Sequence, residues 1–377
     1  MKSECKKFSK RLFPLTAATL TISFWLCVSF ASTPSQFAFL TIAVPSPEIP
    51  LPLQLVLACG WQLQAAKEGI GYPWWTFGGF GVTFVTDEEH VDDLKKLLLR
   101  IWEQTDWDPL VVRHARSLAS QQIRAWKREP MEWLKWQARL IALGDHPSNL
   151  DPEQPSRVRL DDISSVLRRL SRHDLPLLHY DFANQFGSFN ALPKISPVIR
   201  SKFHHTLRLP SSQRVHGLWW MLTKGDPAIA MVVGELIGGG TGASWYQLLR
   251  GEKPIAYHAV SQVQWTPFGS ELTLYMATTP ENLKLARQRE QQLMVNLRQG
   301  KVDGLEFERA RKLAELRLKQ ITSDPVNLSR IMAIWLMSGN SLNEWRSLPE
   351  RLSSLSLTDF LSFCRSLPPA AEIVALP

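Results

Sequence analysis

At 377 residues the chain is longer than one hydrophobic core usually supports, which makes two domains the starting expectation. With 45% hydrophobic and 21% charged residues it is neither disordered nor fibrous. Its net charge of +8 falls to about +4 once the basic first 31 residues are set aside, too mild a balance to indicate a nucleic-acid partner. The 15 Trp residues sit mostly among apolar neighbours, as in a core or groove rather than on a base-stacking surface.

The N-terminus reads as a targeting segment. Lys2, Lys6, Lys7, Lys10 and Arg11 precede a largely apolar run from Leu15 to Phe30, and Ser29-Phe30-Ala31 fits the small-x-small pattern before a cleavage point. We expect a secretory signal peptide over 1–31, the alternative being an uncleaved membrane anchor. Leu26 before Cys27 speaks against a lipoprotein. Beyond this segment only Cys59 and Cys364 remain. A disulfide between them is chemically open to an exported chain, although the apolar run around Cys59 reads as the setting of a buried thiol.

In chain order, Phe37 to Val44 is β-like within a Pro- and Ser-rich stretch, and Leu53 to Lys67 reads as a helix ended by Gly69-Ile70-Gly71. Tyr72 to Thr86 is hairpin-like, with Val82 to Val85 alternating as a strand. Two helices follow, the amphipathic Asp87 to Gln104 and then about Pro109 to Arg128. The same order returns later. Glu271 to Met276 is a strand, Pro280 to Leu297 a helix and Leu305 to Gln320 a second long helix. Ala115-Arg116-Ser117-Leu118-Ala119 recurs 195 residues on as Ala310-Arg311-Lys312-Leu313-Ala314, and Pro130 recurs at the same offset as Pro325. A β-helix-helix unit present twice predicts two homologous domains. The linker is placed near 180–200, giving domains over 32–190 and 191–377, and Leu342 to Pro349 and Leu357 to Cys364 read as small terminal helices.

The most distinctive stretch is Ile237-Gly238-Gly239-Gly240-Thr241-Gly242, which runs into a short helix-like segment with Trp245, Leu248 and Leu249. Four glycines in five positions open backbone angles closed to other residues. Arg250 follows that helix, and Tyr257 stands seven residues later at the start of a predicted strand, Ala256 to Gln264. Taken singly, Arg250 reads as a surface cation and Tyr257 as a core aromatic. Taken together with the glycine loop, G-G-G-x-x-x-x-x-Y-x-x-L-R followed by A-Y resembles the C-terminal half of the pitrilysin/insulinase family of zinc metallopeptidases. The resemblance implies an α+β fold of two homologous half-domains, each a mixed or antiparallel sheet with helices on one face, arranged like a clamshell. It places substrate-backbone binding on Arg250 and Tyr257, with Gly238, Gly239 and Gly240 admitting the peptide.

Active members of that family carry H-x-x-E-H on a helix of the first half, two His ligands with a Glu as general base. None of the nine histidines here stands in such a motif. The motif-bearing helix is expected to be deleted, since only the Pro-broken Ser46 to Pro52 precedes Leu53. Matching the Arg116 segment and Pro130 to the family's second helix puts Gln122 where a third ligand, Glu, belongs, and a neutral amide is a poor zinc ligand. Other groupings are no better: His204 and His205 are adjacent and would face opposite sides of a strand, and nothing ties His173 to His179 across Pro176. His90 with Asp92 and Asp93 is explained by a helix N-terminus.

The resemblance therefore implies a non-catalytic, substrate-binding subunit that pairs with a homologous chain bearing the zinc. It needs no cofactor of its own and no nucleic acid, and touches a membrane only if the signal segment is retained. A bacterial periplasm is the expected compartment. The alternatives are an assembly scaffold of the same fold that handles no peptide and, third, a metallopeptidase with an unorthodox site.

Overall fold

The computed structural model describes residues 37–145, 147–181, 198–200, 202–208, 214–222, 225–251 and 254–376. The signal segment and most of the expected linker, with the domain boundary at 190/191, lie outside the described residues. The first half runs β1 (Phe37–Pro45), α1 (Leu51–Ala65), β2 (Ile70–Thr76), β3 (Gly79–Asp87), α2 (Val91–Glu103), α3 (Pro109–Arg128), α4 (Pro130–Leu143), α5 (Gln154–Arg157), α6 (Leu160–Leu170) and β4 (Leu177–Asp181). The second runs β5 (His204–Arg208), β6 (Arg214–Leu222), α7 (Pro227–Gly238), α8 (Ser244–Arg250), β7 (Ala256–Thr266) and β8 (Gly269–Thr278). It continues with α9 (Leu283–Arg298), α10 (Gly304–Ser323), α11 (Pro325–Met337), α12 (Leu342–Ser354), α13 (Leu357–Ser366) and β9 (Ala371–Leu376).

The repeat is a repeat of topology. The first sheet has the antiparallel order β2-β3-β1-β4, and the second has β7-β8-β6-β9 in the corresponding places, with β5 added parallel to β9 at the far edge. The hairpins close alike, Thr76 opposite Gly79 and Thr266 opposite Gly269. The long helices start alike as well: Asp108 accepts from the Leu110 amide at 2.7 Å, and Asp303, 195 residues on, from that of Leu305 at 3.2 Å. The third helices open with Pro130 and Pro325 at a position where no N–H is needed.

Helices of each half pack on one face of their own sheet. In β1, Ala38, Leu40, Ile42 and Val44 point to the core shared with α1 and α3, as the two-residue period of a strand requires. The second face takes a helix from the other half, which the sequence did not show. Phe39 and Ala43 of β1 pack with Met332, Ala333 and Trp335 of α11, while Val215, Trp219 and Met221 of β6 pack with Leu134, Trp136 and Ala138 of α4. The two third helices are thus exchanged across a common interface. A buried hydroxyl chain ties one crossing, Thr41 Oγ1 lying 2.9 Å from Thr83 and 2.8 Å from Ser329 of α11.

One expectation is corrected. Between β1 and β2 there are 24 residues, against 33 between β6 and β7, so the first half is shorter at this point. Yet α1 packs on α3 and β2 as α7 packs on α10 and β7. What the first half lacks is the counterpart of α8, and α1 stands where the motif-bearing helix was thought to be deleted. It is buried almost all round, from Leu51 to Trp61 and at Ala65, because α2, α3, α5 and α6 enclose it. Cys59 of α1 and Cys364 of α13 are both buried free thiols, pushed up to about 12 by desolvation, and belong to different cores.

Candidate functional site

The interface between the halves leaves an inner cleft of about 610 Å³, walled by Trp75 and Thr76 of β2, Met131 of α4, the C-terminal end of α7, Val260 to Trp265 of β7, and α10 and α11. An adjoining recess of about 270 Å³ reaches Gln122 of α3 and Lys135 and Arg139 of α4. Trp75, Gln264 and Arg330 line both, so the two form one chamber with a waist at these side chains. The position matched to the third metal ligand and the glycine loop therefore lie along the same chamber.

The waist is held by polar contacts over long sequence distances. Arg139 Nε donates to Glu271 Oε1 at 2.9 Å and its Nη2 to Glu271 Oε2 at 2.5 Å, both side chains being buried. Arg139 Nη2 also donates to Gln264 at 2.8 Å, and the guanidinium lies 4.4 Å over the Trp136 ring. Trp219 Nε1 donates to Glu271 at 2.5 Å. Burial alone would push Glu271 up, but the Arg139 charge, with the hydrogen bonds from Arg139 and Trp219, outweighs it and holds the carboxyl below its ordinary range. Lys135 donates to Glu132 at 2.5 Å and to Gln262 at 3.3 Å, and burial lowers its pKa. Trp126 stacks on Trp136 with centroids 4.4 Å apart, and Trp75 meets Trp126 edge-on at 5.8 Å.

The structure separates the expected substrate-binding residues into two groups. Gly238 and Gly240 line the chamber. At Gly238 a Cβ would stand 2.2 Å from the Ser261 amide nitrogen, so glycine lets α7 come down on β7. Gly240 has φ +102° and starts the turn into α8, its amide bonded to the Gly238 carbonyl at 2.9 Å. Gly239 packs against Glu235 and does not line the chamber. Arg250 and Tyr257 lie outside the chamber on the exposed surface. Arg250 stacks over Tyr246 with its guanidinium carbon 5.2 Å from the ring centre. Tyr257 is 51% exposed beside a β-bulge at the start of β7, which corrects its reading as a core aromatic.

The residues do not fit a zinc ion. Gln122 is half-buried in the recess, and α1, the helix on α3, contains no His, Asp or Glu. Among the described residues no group of three or more His, Cys, Asp and Glu is placed to hold a metal.

A second polar cluster lies away from the chamber, under the C-terminal strand. His216 of β6 stands 2.9 Å from Glu290 of α9 and 2.7 Å from Glu372 of β9, and His204 of β5 reaches Glu372 at 2.9 Å. Burial pulls His216 down, but the two carboxylates outweigh it and raise it to about 9. The His216 hydrogen bond holds Glu372 at about 2. The contacts of His216 and His204 with Glu372 thus fasten β9 between β5 and β6.

Neither a protein-family model nor a curated protein matches the chain. Solved structures match over nearly its whole length. A protease from Helicobacter pylori aligns with TM-score 0.72 at 12% identity, covering 92% of this chain and 95% of that one. An inactive domain of an M16 peptidase from Pseudomonas fluorescens aligns with TM-score 0.65 at 12% identity, over 92% and 94%. The chain has the M16 peptidase fold. A chain of complex III2 from Candida albicans shares it, with TM-score 0.72 at 12% identity over 92% and 91%. At these identities the M16 likeness is one of fold, and what the site does rests on its own residues.

Proposed function

We propose that this chain is a non-catalytic, substrate-binding subunit of a heterodimeric zinc metallopeptidase, with the zinc on a homologous partner that carries H-x-x-E-H. The observation that carries the reading is the combination of an open chamber between two M16 halves with, among the described residues, no donor set placed to hold zinc. The chamber supplies what an extended peptide needs: aromatic walls at Trp75 and Trp265, the amides of Gln262, Gln264 and Asn327, and a glycine-lined end. Arg250 and Tyr257, exposed outside the chamber, stand where a second chain can reach them. Arg250 donates to substrate carbonyls and Tyr257 contacts the peptide or the oxyanion at the partner's zinc. Export to a bacterial periplasm, directed by residues 1–31, accompanies this reading. No described helix is long and apolar enough to cross a membrane.

In the reconstituted pair, Arg250→Ala is expected to lower cleavage about tenfold or more, chiefly through KM, since it removes binding and leaves the zinc chemistry in place. Unchanged cleavage would remove Arg250 from this role. The scaffold reading draws support from the fold shared with a chain of complex III2. It expects no effect of Arg250→Ala on any peptide-dependent assay.

A further inference from the structure

The ionisable side chains that line the chamber are paired, with one exception. Glu235 lies 3.4 Å from Arg317, Glu132 is 2.5 Å from Lys135, and Arg139 is bound to Glu271. Arg330 of α11 has no carboxylate within ion-pair distance among the described residues. Its Nη2 donates to the neutral Oδ1 of Asn327 at 2.5 Å, and its Nε is buried without a hydrogen-bond partner. The repeat shows how this arises. At the offset of 195, Arg330 is the counterpart of Lys135 and Asn327 that of Glu132. The same pair, three residues apart on each third helix, is neutralised in the first half by a carboxylate and left charged in the second by an amide.

A guanidinium with no carboxylate in direct contact, at the waist of a mixed apolar and polar chamber, is costly unless something completes it. Burial accordingly lowers the Arg330 pKa, against the opposing charges of Asp324 and Glu132. We infer that Arg330 binds a carboxylate of the peptide in the chamber, so that this subunit selects peptides carrying an acidic group at the waist. The planar guanidinium offers a forked pair of donors suited to a carboxylate. This rests on the peptide-binding reading above and adds to it the class of substrate. The carboxylate comes from an acidic side chain or from the end of the peptide, and the test separates the two.

The test is fluorescence anisotropy with the full mature chain and three fluorescein-labelled octapeptides of one sequence. One carries a central Glu with an amidated C-terminus, one a central Gln with an amidated C-terminus, and one a central Gln with a free C-terminal acid. At least one acidic peptide is expected to bind about tenfold more tightly than the neutral one, and which one it is identifies the source. The preference is expected to disappear in Arg330→Gln and to survive in part in Arg330→Lys, which keeps the charge and loses the fork. Equal binding of all three peptides, or a preference that persists in Arg330→Gln, overturns the assignment and leaves peptide binding standing. Absence of binding by every peptide up to millimolar concentration overturns the peptide-binding reading and this inference with it.

Discussion

Among single residues, Arg139 bears most directly on how the chamber is held open. It joins α4 to β7 and β8 through Gln264 and Glu271, and its charge is buried against a buried partner. Removing one member of such a pair leaves the other charge uncompensated, at a cost of about 3–5 kcal/mol. Arg139→Ala is expected to lower unfolding stability by about that amount, measured by urea denaturation, while Arg139→Ala with Glu271→Gln loses less than the sum of the two single changes. Additive losses would mean that the pair does not act as a unit. None of this could be read in the sequence, since Glu271 lies 132 residues from Arg139 and only folding brings them together. The place of Gln122 on the second long helix, in contrast, was read from the sequence, and the structure adds that it lines the recess. Their spacing from the glycine loop singled out Arg250 and Tyr257; the surface position of Arg250 was read from the sequence, whereas that of Tyr257 was not.

Among elements, α3 was read to its observed bounds, and α10 was read from Leu305 to Gln320, three residues short of its end at Ser323. The hairpins were read in part, β3 and β8 from the short runs Val82 to Val85 and Glu271 to Met276, although both strands are buried on both faces and keep no strict alternation. The third helices escaped notice. α4 and α11 are apolar on several faces, since each is packed between its own half and the sheet of the other, and a helix buried all round carries no 3.6-residue stripe. For the same reason α1, enclosed on all sides, was not recognised as the helix standing in the place of α7. The contact between α7 and β7 sets the glycine-lined end of the chamber. Gly238→Ala is expected to force the two apart and to destabilise the chain by about 1–3 kcal/mol, the usual cost of overpacking, read as a lowered urea midpoint. An unchanged midpoint would show that the close approach is not needed.

At the scale of the molecule, the two halves share one topology and exchange their third helices, so the chamber is a product of the pair and belongs to neither half alone. The sequence showed the repeat and the absence of a zinc motif. It could not show the exchange, which depends on which faces of two sheets are left open after each half has folded. The chain keeps the M16 fold and an open chamber, with no metal-holding group among the described residues, and the reading proposed above has it work beside an active homologue. The most direct test is native affinity purification of the tagged mature chain from its own cells, with identification of what co-purifies and an assay of the eluate for chelator-sensitive peptide cleavage. The account predicts an equal amount of a homologous chain bearing H-x-x-E-H, together with cleavage that stops when zinc is removed. A chain that elutes alone, without zinc or cleavage, would contradict it.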